Sequence, residues 1–387
     1  MEPNSHTAKE VEQAVHEVYT ACQEWGFFQA IHHGIHEELI ERVQVRGRQM
    51  FALPREDKLE IKRTATNARG WYDDELTKQT LDWKQGFDLG HVPHPSLPPD
   101  DPANVVAEGY NQWPKGIPGF KDTMDAFYSE AARVSSRLMW GISHSLGLHG
   151  GVVGAGAGME MGGDILAEAF EGHTSYLRLN YYPPCPEPCD YLSVNRHTDA
   201  GALTVLLQEA GVTALQVNFN GTGQWVSIPP VEGAVTINVG DMLQVWTNDL
   251  FRAPEHRVRA LTERDRFSAP FFYNPGYATD VAPLPQTLLA HTITTSSSSS
   301  SSPSCISTPA DDGGGAGKVG DPNNSVGGGT IVRGEGSAGG GRNHCREDGN
   351  PGEERGKAAG FGATTGESSA GGGAPWQLGQ LGPVTAH

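Results

Sequence analysis

His197 and Asp199 stand two positions apart in Arg196-His197-Thr198-Asp199, and a third candidate ligand, His256, lies in Ala253-Pro254-Glu255-His256-Arg257-Val258. Alternate side chains of a strand share one face, so His197 and Asp199 are expected to point the same way and bind one metal together. Two imidazoles and a carboxylate on one side of a metal leave the opposite positions open, an arrangement that suits non-haem Fe(II) chemistry with oxygen. A His-x-Asp pair alone says little, because histidines satisfied within a core are common. His144, His149, His173 and His291 are assigned no role.

Arg266-Phe267-Ser268 sharpens the reading. A strand would put Arg266 and Ser268 on one face, and a guanidinium inside an otherwise apolar strand is costly without an anion. A carboxylate paired in bidentate fashion would satisfy it, with the serine hydroxyl adding one hydrogen bond. A dicarboxylate cosubstrate could supply that carboxylate. The plainer reading is a structural ion pair at the mouth of a barrel. Cys185 and Cys189 lack a second Cys or His pair nearby, so a zinc site is not expected there.

These residues need a scaffold. Val11, Val15, Val18, Cys22 and Trp25 repeat at helical spacing over about residues 7 to 25, and Gly26 ends that helix. Phe27 to Ile31 reads as a short buried strand. Leu39 to Phe51 reads as a second helix stopped by Pro54, and Phe120 to Leu146 as the longest. Residues 91 to 118 read as an extended connection. The glycine-rich insert from Gly150 to Gly163 holds no G-K-[ST], so it is read as a surface loop and not a phosphate cradle. Short strands are then expected at Tyr176–Tyr182, Ala202–Gln208, Ala214–Val217, Trp225–Ile228, Ala234–Val239, Met242–Trp246 and Phe267–Tyr273. Asn220-Gly221 between two of them signals a hairpin. Helices first and evenly spaced strands later predict a mainly β chain with helices (α+β), a sandwich or barrel with a helical support layer.

Of 50 glycines, 24 fall after Leu289, beside the serine run Ser296 to Ser302. Such a stretch cannot bury enough apolar surface to offset its ordering entropy, so a disordered tail is expected over 289–387. The remaining organisation divides into an N-terminal helical and strand region over 1–118, a long helix with its insert over 119–172, and a β domain over 173–288. The net charge is −18, of which −3 falls in the tail (6 Lys or Arg against 9 Asp or Glu), leaving −15 on the rest. That acidic balance argues against a phosphate-backbone partner or an anionic membrane surface and favours a small-molecule substrate. The five cysteines (Cys22, Cys185, Cys189, Cys305, Cys345) form no disulfide framework. With no apolar leader and no run of 18 apolar residues, a cytoplasmic monomer is expected.

An ordered series of motifs covers residues 9 to 285: Glu24-Trp25-Gly26-Phe27-Phe28-Gln29 with His33-Gly34-Ile35; Asp82-Trp83-Lys84 with Phe87-Asp88; Asn180-Tyr181-Tyr182-Pro183-Pro184-Cys185-Pro186; His197-Thr198-Asp199 with Gly201-Ala202-Leu203-Thr204-Val205-Leu206; Asn238-Val239-Gly240-Asp241; His256-Arg257-Val258; and Arg266-Phe267-Ser268. The series resembles the plant-type 2-oxoglutarate- and Fe(II)-dependent dioxygenases of the isopenicillin N synthase-like superfamily. The resemblance implies a double-stranded β-helix (jelly roll) core with an N-terminal helical region. It implies that His197, Asp199 and His256 bind Fe(II), that Arg266, Ser268 and Tyr182 hold 2-oxoglutarate, and that Asn180 is the other polar position of that site. It further implies O2 and ascorbate as companions, and hydroxylation or desaturation of a small organic metabolite with release of succinate and CO2. Alternatives within its reach are an oxidase that uses iron and O2 without 2-oxoglutarate, and a catalytically impaired jelly-roll binding protein. Three features depart from the pattern: no Ile-Pro-x-Ile-Asp strand opens the chain, as though it were truncated; His32 stands where Asn is usual; and low-complexity sequence follows Pro283-Leu284-Pro285 in place of a C-terminal helix.

Overall fold

The computed structural model describes residues 8–78, 80–90, 109–148, 165–186, 192–285 and 378–379. Helix α1 (Ala8–Glu24) ends at Gly26, whose φ of +63° suits glycine. A Cβ there would lie 2.4 Å from the Arg252 carbonyl oxygen. Strand β1 (Phe27–Ile31) leads to α2 (Glu37–Phe51) and the short α3 (Arg55–Leu59). Between β1 and α2 His32 sits at φ +53°, in the left-handed region that asparagine and histidine both enter more readily than most residues.

The next elements are β2 (Gly70–Tyr72), the small hairpin β3 (Leu76–Thr77) and β4 (Thr80–Leu81), β5 (Gln85–Gly90), α4 (Phe120–Ser145) and α5 (Ile165–Ala169). The strand-rich half holds β6 (Tyr176–Tyr182), β7 (Leu192–His197), β8 (Leu203–Gln208), β9 (Leu215–Asn218), β10 (Trp225–Ser227), β11 (Ala234–Val239), α6 (Asp241–Trp246), β12 (His256–Arg259) and β13 (Arg266–Tyr273). A two-residue strand β14 (Leu378–Gly379) pairs with β1. The expected tail otherwise lies outside the described residues, as does the insert from Gly150 to Gly163.

Every pairing between these strands is antiparallel. The large sheet runs β14-β1-β11-β8-β13-β6-β5-β2 and the small one β10-β9-β12-β7. The chain is thus sheet-rich α+β, as its pattern predicts. Asn220 and Gly221, both at positive φ, lie in the β9–β10 connection, where the hairpin is expected.

Strand alternation divides the large sheet into two faces. Val205, Leu207, Ile237, Phe267 and Phe271 join α1, α2 and α4 in the main core. Helix α4 contributes Phe120, Met124, Phe127, Ala131, Val134, Leu138 and Ile142 to that core, which fixes its orientation at about 1.5–3 kcal/mol per large side chain buried. On the opposite face Phe27, Tyr182 and Leu206 meet Val194, Leu215, Val217 and Val258 of the small sheet. The polar members of the same strands turn toward this second layer, and the site lies there.

One expected strand is a helix. Met242–Trp246 belongs to α6, with Leu243 and Trp246 buried three positions apart. A mostly apolar segment of five residues, Met-Leu-Gln-Val-Trp, is ambiguous by periodicity alone. The helix wins because its first N–H groups have carbonyl partners: Asp241 N donates to Asp199 O at 2.8 Å and Met242 N to Gly201 O at 3.0 Å.

Candidate metal centre

Strands β7 and β12 place His197 directly opposite His256 in register, with ring centroids 4.3 Å apart. Asp199 does not extend the strand as expected: β7 ends at His197, and Asp199 sits in the loop beyond it. The loop is pinned by the α6 bond to the Asp199 carbonyl and by Thr198 Oγ1 donating to Asp241 Oδ2 at 3.2 Å. Convergence survives the change of geometry. One ligating atom from each of His197, Asp199 and His256 lies within 4.8 Å of the others.

The hydrogen bonds around these three leave only the inward atoms bare. His197 Nδ1 bonds the Asn195 carbonyl at 2.8 Å and His256 Nδ1 the Pro254 carbonyl at 3.2 Å. A carbonyl can only accept, so each Nδ1 donates its N–H and each Nε2 lone pair faces the cavity. Asp199 Oδ2 accepts from Thr204 Oγ1 at 2.6 Å and Asn238 Nδ2 at 2.8 Å. Its Oδ1 is left 3.6 Å from both Nε2 atoms. Burial, then the neighbouring His256, pulls the His197 imidazole down to about 4, so it stands neutral and able to ligate at pH 7. Burial opposes ionisation of Asp199, but His256, His197 and the bonds from Thr204 and Asn238 hold it below the usual carboxylate range. Two imidazoles with inward-facing Nε2 atoms and one fixed carboxylate oxygen fit Fe(II).

A cavity of about 520 Å³, counted to its open mouth, joins this triad to Asn180, Tyr182, Arg266 and Ser268. All seven residues expected at the site therefore line one space. Arg266 pairs with Tyr182, and Ser268 with Asn180, across β13–β6. Arg266 is 2% exposed, yet its partners are neutral and distant: Ser268 Oγ at 3.5 Å and Gln208 Oε1 at 3.3 Å. Its Nε has no partner, nor does Asn180 Oδ1. Among the described residues no carboxylate pairs with Arg266, so the structural ion pair weighed above is not found. A buried guanidinium with unfilled donors fits the far carboxylate of a dicarboxylate acid. Ser268 Oγ is 3.4 Å from Tyr182 Oη, so both hydroxyls border the same space.

Sequence reasoning left out Thr204 and Asn238, which fix Asp199, and Gln208, which supports Arg266. Their signal was available: each is a polar residue at an alternate position of a buried strand. Lys84 and Arg178 were also missed as cavity residues. Both are ion-paired, Lys84 with Glu75 at 2.7 Å and Arg178 with Asp88 at 2.8 Å.

Residues 173–275 match the model of the 2OG-Fe(II) oxygenase superfamily, and residues 2–116 match that of the N-terminal region of non-haem dioxygenases in morphine synthesis. Jasmonate-induced oxygenase 4 of Arabidopsis thaliana is 33% identical over 277 residues, covering 71% of this chain and 72% of that protein.

The chain belongs to the 2OG-Fe(II) oxygenase superfamily.

Flavone synthase of Petroselinum crispum is 32% identical to the oxygenase over 269 residues, covering 69% of this chain and 67% of the relative. The crystal structure of JOX2 in complex with 2OG, Fe and JA superposes with a TM-score of 0.59 at 29% identity, over 71% of this chain and 75% of that one. A putative 2OG-Fe(II) oxygenase family protein from Caulobacter crescentus superposes at 0.60 with 25% identity, over 74% and 90%. The oxygenase is an oxidoreductase, a 2-oxoglutarate-dependent dioxygenase that takes Fe(II) and 2-oxoglutarate and oxidises small organic molecules.

Proposed function

We propose that His197, Asp199 and His256 hold the Fe(II), and that Arg266, Ser268, Tyr182 and Asn180 hold 2-oxoglutarate, in an enzyme that hydroxylates or desaturates a small organic metabolite. The observation that carries this reading is Arg266, a buried guanidinium without a carboxylate, lining the same cavity as a bare His-Asp-His triad. When bound, the iron and cosubstrate would use O2 to convert 2-oxoglutarate to succinate and CO2, one oxygen atom entering succinate and the other serving to oxidise a substrate C–H bond. The chain's own residues orient and shield. Arg266 and the two hydroxyls fix the far carboxylate. Asn238 and Thr204 hold Asp199 Oδ2, so that Oδ1 alone faces the metal. Phe27, Leu206, Leu215 and Val258 keep the cavity wall apolar and limit water.

The two facing antiparallel sheets support a double-stranded β-helix core over 173–288, buttressed by the helical region over 1–118 and the long helix over 119–172. The relatives' names point to jasmonate and flavonoid chemistry, which supports a small hydrophobic metabolite as substrate. The acidic charge supports a protein that needs neither nucleic acid nor membrane, and a cytoplasmic monomer is the assignment we make. Iron-loaded protein incubated in air with 2-oxoglutarate labelled at the carboxyl next to the keto group and a metabolite panel tests the reading. Labelled CO2 and unlabelled succinate with a one-oxygen or two-hydrogen mass change in one metabolite are expected. Substrate oxidation without succinate would assign an oxidase, and neither product at any substrate would assign a silent binding protein.

A further inference from the structure

Asp82-Trp83-Lys84 takes no part in the proposed ligand sets, yet this segment is built against the strand that carries His197. Strand β7 is the outer strand of the small sheet, so groups on its free edge have no neighbouring strand to bond. Asn195 lies at an irregularity in the β12–β7 register and is not among the paired residues. In extended backbone the N–H and C=O of one residue point to the same side. At Asn195 both are nevertheless satisfied. Its N–H donates to Asp82 Oδ1 at 3.3 Å, and its carbonyl accepts from His197 Nδ1 at 2.8 Å. The Trp83 N–H continues the same edge, donating to Leu192 O at 3.2 Å. Asp82 is 4% exposed and is itself clamped, by Thr77 Oγ1 at 2.7 Å and Lys84 Nζ at 3.5 Å on its other oxygen.

We propose that Asp82 is a positioning residue for the metal centre: by holding the Asn195 N–H it fixes the backbone whose carbonyl sets the tautomer and tilt of the His197 ring. A ligating histidine loses metal affinity when the group that orients its other nitrogen is disturbed, commonly by 10- to 100-fold. Asp82 acts one link further out, so the lower end of that range applies. The inference rests on His197 being a metal ligand, as proposed above.

Co(II) titrated into the full chain, followed by the ligand-field absorption of the bound ion, tests it. Asp82→Ala and Asp82→Ser should each weaken Co(II) binding by about tenfold. Asp82→Asn keeps a carbonyl oxygen at the same reach and should stay within about twofold of the unaltered chain, although it loses the charge facing Lys84 and should melt lower. A purely structural role would instead make affinity follow melting temperature across the three variants. Where the alanine variant does not fold, the serine and asparagine variants carry the comparison. Wild-type affinity in Asp82→Ala or Asp82→Ser, or an equal loss in Asp82→Asn, overturns the inference. If His197→Ala binds Co(II) as well as the unaltered chain does, the metal reading itself has failed, which is a separate result.

Discussion

Asp199 has two oxygens with different tasks, and the division is enforced by Asn238 and Thr204 on Oδ2. Asn238→Ala removes one of those donors without touching a ligand. Its metal affinity should fall about tenfold, and the metal-free protein should melt lower because a bond to a buried carboxylate is lost; equilibrium titration with Co(II) and a thermal melt would check the two together. Arg266→Gln separates the two halves of the cavity. Charge-assisted hydrogen bonds are worth about 1.5–3 kcal/mol each, so losing the guanidinium should weaken 2-oxoglutarate by roughly 100-fold. Metal affinity should stay within about twofold. Calorimetric titration of 2-oxoglutarate into the metal-loaded variant reads the first number. Tight binding there would mean that the acid lies elsewhere.

At the scale of elements, the helical layer and the small hairpin each hold the sheets by a feature that a single substitution exposes. Gly47 of α2 lies against Phe267 of β13, and a Cβ at that position would come 2.4 Å from the ring edge. Alanine improves helix propensity by about 1 kcal/mol. A buried aromatic wedged into a close-packed layer costs about 1–3 kcal/mol to displace, so Gly47→Ala should lower stability on balance. Denaturant unfolding that showed stabilisation would mean α2 can slide on the sheet. Glu75, just before the hairpin, pairs with Lys84 at 2.7 Å and Arg178 at 3.3 Å. Burial opposes its charge, yet Arg178 and Lys84 prevail and bring the carboxyl from 4.5 to about 2. A folded value below the unfolded one stabilises above the unfolded value, and the benefit is lost as pH falls from 4.5 through about 2. Glu75→Gln should therefore cost about 3 kcal/mol at pH 7 and little near the acid end of that window. An equal cost at both ends, measured by urea unfolding, would remove the ion pairs from the explanation.

Over the whole molecule, legibility followed how local the determining physics is. α4 and β11 could be read from the sequence because their apolar periods are long or regular enough to be decided within the segment. The Met242–Trp246 helix could not, because its first N–H groups are satisfied by Asp199 and Gly201, some forty residues away in sequence. Strand β5 was hidden by Gly86 and Gly90, where a Cβ would meet Tyr72 and Arg69 at 2.2 Å and 2.6 Å. Those glycines mark close approach and not a loop. The ligand residues were legible as types, and Arg266 as an anomaly among phenylalanines. The supports on Asp199 were legible only as polar positions on buried strands, their partner being set by strand register, and the support on His197 was not legible, since it depends on a free sheet edge. The account predicts one site binding both metal and acid. Anaerobic addition of Fe(II) and then 2-oxoglutarate should produce the visible charge-transfer absorption of a keto acid chelated to iron. The band should saturate at one equivalent of each and be absent in His256→Ala. No band in the unaltered protein, or an undiminished band in His256→Ala, would contradict the account.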